Sequence, residues 1–236
     1  MTHRDRSPGL DPAAARAGDL RVRVRYQPAE VDGGGDIYDV CETRFGTRIL
    51  IGDVMGAGVP ASETAAGILE AWRAIVGTES TLTGVAVRLH GLITRSDHPE
   101  RFVTALMMNL DGDPWTEFVC CGHPPPLLLR DGMASYVDMF SPSPPLGLLD
   151  MTDGWCAPGV FRFTGCDRLL LYTDGVSEAR DADRAFFPLA DRARAAIGEH
   201  ADDDAVLDAL VADLSAHTGG VAQDDVLMMT LSRTRP

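Results

Sequence analysis

No run of about 18 apolar residues occurs in this chain of 236, so no segment of it should span a membrane. The first twenty residues, MTHRDRSPGLDPAAARAGDL, hold Arg4, Asp5, Arg6 and Asp11 and lack the apolar stretch of a secretory signal, so a cytoplasmic location is expected. Basic residues are scarce: 21 Lys and Arg face 35 Asp and Glu, a net charge of −14. A phosphate-backbone partner needs a basic face, which argues against nucleic acid and fits an acidic site that attracts cations. CxxC spacing is missing too. Cys41, Cys120, Cys121, Cys156 and Cys166 are odd in number and lie mostly beside apolar residues, the pattern of reduced, packed thiols rather than metal ligands.

The remaining composition, 45% hydrophobic and 24% charged, is that of an ordinary globular protein with a substantial core. No repeat stands out, so one domain over residues 21–236 behind a flexible tail at 1–20 is expected. Residues 21–27 (RVRVRYQ) alternate polar and apolar side chains, the period of a half-buried strand. After a turn at VDGGGD, residues 36–42 and 47–54 read as two strands separated at Gly46. Ile68, Leu69, Trp72, Ile75 and Val76 fall at helical spacing within 61–76, behind a Pro60 suited to a helix start, and a second helix covers 82–94. Segments 101–110, 116–121, 126–130 and 134–139 look like successive antiparallel strands joined by Asp-Gly and Gly-His-Pro turns. A buried strand at 167–173, helices at 186–197 and 203–216, and a closing strand at 226–233 complete the pattern. Strands grouped with strands and helices with helices indicate an α+β layered fold rather than alternating βαβ units.

Three apolar strands meet an aspartate at one end: Asp53 after RILIG, Asp174 after RLLLYT, and the pair Asp224 and Asp225 before VLMMT. A fourth, Asp36, opens DIYDV. One such acid is ordinarily a solvated turn or a helix cap. Several matter together only if the strands converge, because clustered carboxylates repel and need protons or cations to coexist. Glycines flank three of them, namely Gly33, Gly34 and Gly35 before Asp36, Gly52 and Gly56 around Asp53, and Gly175 after Asp174; they let backbone carbonyls approach an ion. Oxygen donors without a Cys or His cluster select Mg²⁺ or Mn²⁺ over Zn²⁺. On the residues alone, an oxygen-lined divalent site and four unrelated turn aspartates both stand.

In order and wording, these segments resemble the protein phosphatase 2C (PPM) superfamily, specifically its bacterial SpoIIE and RsbU-like branch. The likeness is collinear over residues 25–233 and runs through YQPAEVDGGGDIYDV, ILIGDVMGAGVPAS, RFVTALMMNLD with CCGHPPPLLLR, PPLGLL, LLLYTDGVSEAR and QDDVLMMTLSR. Each segment is weak by itself, and six in sequence are strong. The resemblance implies a four-layer α/β/β/α sandwich, two antiparallel sheets packed face to face with helices outside. It implies two divalent cations, Mn²⁺ or Mg²⁺, with Asp53 bridging them, Asp36 and the Val54 carbonyl completing one site, and Asp174 and Asp224 holding the other. Asp39 and Asp225 are then expected to support the ligands from behind. The implied reaction is hydrolysis of a seryl or threonyl phosphate by water activated between the cations, without a phospho-enzyme. That suits a sequence with no Cys or Ser nucleophile beside a paired base. The implied partner is a phosphorylated anti-anti-sigma protein of the STAS type in a partner-switching pathway; a homodimer is left open.

The chain departs from the family pattern at Met55, where eukaryotic relatives have a histidine suited to protonating the leaving group, and at Ala57, where the branch commonly has histidine. Ile37 stands at a position often held by tryptophan, and no arginine adjoins Asp36 to clamp phosphate. His123, in GHPPP, is read as a structural hydrogen-bond donor before a proline turn. Two rivals remain. GAGVPA at 56–61 satisfies GxGxxA after a strand, but the dinucleotide unit needs a parallel strand after its helix, and a polar turn at Glu79 precedes another helix instead. The other is a phosphatase-like module that binds a signalling partner without turning it over, against which the retained carboxylates count. The helices at 61–76 and 82–94 read as core, with coupling of partner binding to the acidic site as an added hypothesis.

Overall fold

Strands apolar on both faces, such as RILI and RLLLY, belong between two other layers. In the computed structural model, which describes residues 15–17, 19–29, 34–96, 100–112, 114–139, 143–221 and 223–233, that is where they lie. Numbered in chain order, one sheet runs β1 (Ala15–Ala17), β2 (Leu20–Gln27), β11 (Val226–Arg233), β10 (Arg168–Tyr172), β7 (Leu127–Arg130), β8 (Met133–Tyr136). The other runs β3 (Asp36–Thr43), β4 (Gly46–Val54), β5 (Val103–Leu110), β6 (Trp115–Cys121), β9 (Pro158–Arg162). All neighbouring strands pair antiparallel.

Strand alternation sorts the core into three layers. Ile49, Ile51, Leu106 and Met108 meet Leu169, Leu171, Leu227 and Met229 between the two sheets. Facing the other way, Leu50, Val54 and Met107 pack on α1 (Val59–Ile75) and α2 (Leu82–Ile93) through Ile68, Trp72, Val85 and Leu89. On the far side, Leu170, Tyr172 and Met228 pack on α4 (Leu189–Glu199) and α5 (Asp203–His217) through Leu189, Val206, Leu207 and Leu210. The result is the four-layer α/β/β/α sandwich, two antiparallel sheets face to face with helices outside. The strand after α1 and α2 is β5, antiparallel to β4, which removes the dinucleotide-binding reading of residues 56–61.

Several local expectations are corrected. Segments 101–139 do not form one antiparallel run, because the chain leaves the five-stranded sheet after Cys121, crosses through Gly122–Pro126 and enters the other sheet at Leu127. Three consecutive prolines cannot supply ladder N–H groups, so β6 must end there. The segment expected as a tail contains β1 at Ala15–Ala17 and a fully buried Leu20, so ordered structure begins before residue 21; residues 1–14 lie outside the described residues. The helix expected from 186 begins at Leu189, since Pro188 fixes its N-cap. An unforeseen edge strand, β9, closes the five-stranded sheet, and a single turn, α3 (Asp174–Ser177), follows β10. Cys120, Cys121 and Cys156 are buried free thiols, Cys41 is half-buried and Cys166 is exposed. Among the described residues no helix is long and apolar enough to cross a membrane.

Candidate active site

The acidic residues gather at one rim of the sandwich, between the sheets. Antiparallel register sets Asp36, the first residue of β3, directly opposite Asp53 near the end of β4, and Asp53 opposite Thr104 on β5. All three share the inward face with Ile51 and Leu106, so the five-stranded sheet presents them toward its partner sheet. From the other sheet come Asp174, two residues past the end of β10, and Asp224 and Asp225 just before β11. These strands are neighbours, so their ends coincide.

Hydrogen bonds lock the two halves together. The Thr173 hydroxyl donates to Asp36 Oδ2 at 2.8 Å and accepts from the Leu227 N–H at 3.2 Å, tying β3 to both β10 and β11. Asp225, 8% exposed, accepts from the N–H of Ala29 at 2.8 Å and of Gly35 at 2.9 Å. The Gly35 carbonyl in turn accepts from the Val54 N–H at 3.1 Å. A Cβ at Gly35 would stand 2.5 Å from the Val54 carbonyl oxygen and 2.7 Å from Asp53 Oδ1, and one at Gly175 would stand 1.9 Å from the Asp225 carbonyl. Glycine is required at both places because the backbones and carboxylates approach too closely for any side chain.

The electrostatics follow from this crowding. Burial, then repulsion from Asp53, Asp225 and Asp174, pushes the Asp36 carboxyl up to about 9 against the opposing Thr173 hydrogen bond. Burial, then Asp174, Asp224 and Asp225, pushes Asp53 up to about 7. Asp174 is raised by burial and then by Asp224 and Glu178. No arginine is among the strongest influences on these three. Such a cluster attracts cations.

The structure therefore brings together Asp36, Asp53, Val54, Asp174, Asp224 and Asp225. Asp39 does not join them. It lies on the opposite face of β3, 4% exposed, and accepts from Arg73 Nε of α1 at 2.8 Å; a one-residue step along a strand turns a side chain to the other face, and 36 and 39 differ in parity. Among the described residues no three Asp, Glu, His or Cys side chains already close on one point as a finished ligand cage. Their chemistry still fits divalent cations: four oxygen-donor carboxylates from two sheets, a backbone carbonyl exposed by Gly35, and mutual repulsion that bound positive charge would relieve. Sequence reasoning passed over Thr104 and Thr173. Thr173 carried a signal, as the hydroxyl that ends the apolar run RLLLY immediately before Asp174.

Comparison with known proteins shows the family. The Stage II sporulation protein E (SpoIIE) family profile matches residues 43–234. A curated relative, "Phosphoserine phosphatase RsbP" of Bacillus subtilis (strain 168), is 28% identical over 163 residues, covering 65% of this chain but 39% of the relative. This chain thus spans about two fifths of that protein's length. Among solved structures, the RsbU and RsbW domains of Rv1364c from Mycobacterium tuberculosis superpose with a TM-score of 0.80 at 24% identity, covering 93% of this chain and 61% of that one. The PP2C phosphatase domain of SpoIIE from Bacillus subtilis, solved with a fragment of its regulatory domain, gives 0.74 at 15% identity, covering 92% and 64%. These two likenesses speak for the fold. With the profile spanning most of its length, the chain belongs to the SpoIIE family.

Proposed function

We propose that this chain is a divalent-metal-dependent protein serine/threonine phosphatase. The observation that carries this reading is the convergence of Asp36, Asp53, Asp174 and Asp224 from two sheets onto one rim, with no arginine among the strongest influences on Asp36, Asp53 and Asp174, in a chain of the SpoIIE family. Asp36, Asp53 and the Val54 carbonyl would hold one Mn²⁺ or Mg²⁺, and Asp53, Asp174 and Asp224 the other. When bound, such ions make water more acidic and offset the charge on phosphoryl oxygens. The rest falls to this chain's own groups. Thr173 orients Asp36, and Asp225 holds the Ala29 and Gly35 backbone so that Val54 and Asp53 stay in place. Hydrolysis transfers phosphorus from the seryl or threonyl oxygen to a water oxygen, and with Met55 beside the site in place of an acid, solvent protonates the leaving oxygen.

The substrate we favour is phosphoserine on a STAS-type anti-anti-sigma regulator in a partner-switching pathway. Support comes from the relative named as a phosphoserine phosphatase and from the neighbour that joins an RsbU to an RsbW domain. The test is a Mn²⁺ and Mg²⁺ titration of phosphate release from a phosphorylated STAS protein, with Asp174→Asn as the control. Cation-dependent release that the variant loses is expected. Binding of the phosphoprotein with no release at any cation concentration would leave a binding module and end the enzymatic reading.

A further inference from the structure

His123 follows β6 in the segment that crosses from one sheet to the other, and it is buried between them. Its Nδ1 stands 3.2 Å from the Thr104 hydroxyl, and Thr104 is the cross-strand partner of Asp53. On the opposite side of the ring, Nε2 is out of contact with solvent and without a completed hydrogen bond, and the Tyr172 backbone, two residues before Asp174, lies within reach of the imidazole. One imidazole thus reaches the Asp53 half of the acidic rim on β5 and the Asp174 half on β10.

Burial lowers the pKa of this ring to about 3, against the opposing pull of the Tyr172 backbone, so the imidazole is neutral at working pH. A neutral imidazole has one N–H and one bare nitrogen. With the proton on Nε2, toward the Tyr172 carbonyl, Nδ1 accepts from the Thr104 hydroxyl and fixes its rotor. Thr104, the cross-strand neighbour of Asp53, is thereby held in place.

We propose that His123 is a positioning residue of the acidic site, a neutral strut between Thr104 and Tyr172 that sets the gap between the Asp36–Asp53 half and the Asp174–Asp224 half. This rests on the metal-dependent reading above. Ligands drawn from two sheets hold an ion well only if the spacing between the sheets is fixed, and groups behind the ligands commonly supply that constraint. Thr173 provides one such tie, through Asp36; His123 provides the second, through the neighbour of Asp53.

The experiment compares wild type with His123→Phe, His123→Asn, His123→Gln and Thr104→Val. Each is stripped with chelator, titrated with Mn²⁺ by calorimetry and assayed on p-nitrophenyl phosphate across pH. His123→Phe and Thr104→Val should bind Mn²⁺ about ten- to a hundredfold more weakly. Their kcat should fall with KM little changed. Asn, which can replace Nδ1, and Gln, which can replace Nε2, should lie between Phe and wild type. The shape of the pH–rate profile should survive in His123→Asn, because a strut carries no proton. Wild-type Mn²⁺ affinity in both His123→Phe and Thr104→Val, whatever their melting temperatures, would reduce His123 to packing and overturn the proposal. Loss of one limb of the pH profile in His123→Asn would overturn it too, by showing proton transfer. Should His123→Phe fail to fold, Thr104→Val decides by the same criterion. Wild type that binds Mn²⁺ without hydrolysing phosphate ends the phosphatase reading, and the affinities still decide the role of His123; wild type that binds no Mn²⁺ overturns both.

Discussion

Carboxylates stand at both ends of β10, and the chain treats them in opposite ways. Before the strand, Asp167 is buried against Arg130, with Nε at 2.6 Å and a second guanidinium nitrogen at 2.7 Å, and it also accepts from the Thr164 N–H and hydroxyl. Burial pushes its carboxyl up, but the Arg130 and Thr164 contacts outweigh that and hold it below the ordinary carboxylate range. Nearby, Asp203 pairs with Arg168 Nε at 2.7 Å and accepts from Ser232, and Asp19 pairs with Arg233. Beyond the other end of the same strand, Asp174, Asp36 and Asp53 have no arginine among their strongest influences and are raised. Burial is common to both groups. What separates them is whether positive charge is built into the protein or must arrive from outside. A cavity of about 540 Å³ sits at the paired end, lined by Arg21, Arg130, Arg168 and Arg233, yet Arg130, Arg168 and Arg233 are each matched by a carboxylate. Size alone is a poor guide to where the chemistry lies.

The largest contrast should appear in turnover. Asp53→Asn is expected to lower Mn²⁺-supported phosphatase activity on the order of a thousandfold, which corresponds to several kcal/mol, while Asp167→Asn leaves it within about twofold. A comparable loss in both, measured as kcat/KM on a phosphoserine protein, would show that the two ends are not separable. Next comes ligand-linked stability. Mn²⁺ at about a hundred times its dissociation constant should stabilise wild type by about 2.7 kcal/mol, a melting shift of about 5 to 10 °C. Asp174→Asn should lose that shift and Asp167→Asn should keep it.

Asp167→Asn should itself cost about 2 kcal/mol of metal-free stability in urea, through the lost charge-assisted hydrogen bonds. The folded pKa of Asp167 is depressed, so its contribution is present above the unfolded value of about 3.8 and lost as pH falls through the folded one. The gap between wild type and Asp167→Asn should therefore be full at pH 6 and close as the pH is taken below about 4. The smallest effect is expected at Asp204, which pairs with Arg23 and Arg25 on the solvent side of β2 and is also held low once those pairs outweigh burial. Screening limits Asp204→Asn to under about 1 kcal/mol. A larger loss would mean that partly exposed pairs on this surface act as a network.

Much of the architecture was legible because the central strands are apolar on both faces: RILI, RLLLY and VLMMTL admit no placement except between layers. The strand at 226–233 was read with its observed limits for that reason. Edge strands were harder to read. PGVFR opens with a proline and a glycine, leaves Val160 exposed and turns only a half-buried Phe161 to the core, so β9 gives a weak strand signal, and β1 is only three residues long. The division of the central strands between two sheets is a non-local fact that local periodicity cannot express. At the site, the strand-end aspartates and their glycines were visible in the one-dimensional pattern. Strand parity alone separates Asp39 from Asp36, since positions of opposite parity face opposite sides of β3. Thr104 and His123 belong to the site through register and crossover, neither of which the pattern displays.

The strand order carries one further consequence, for folding. β11 lies between β2 and β10, so the six-stranded sheet cannot close until residues 226–233 are available, and Asp224 and Asp225 enter the rim with them. Until that strand is placed, an open slot separates β2 from β10, and the rim is short of two of its carboxylates.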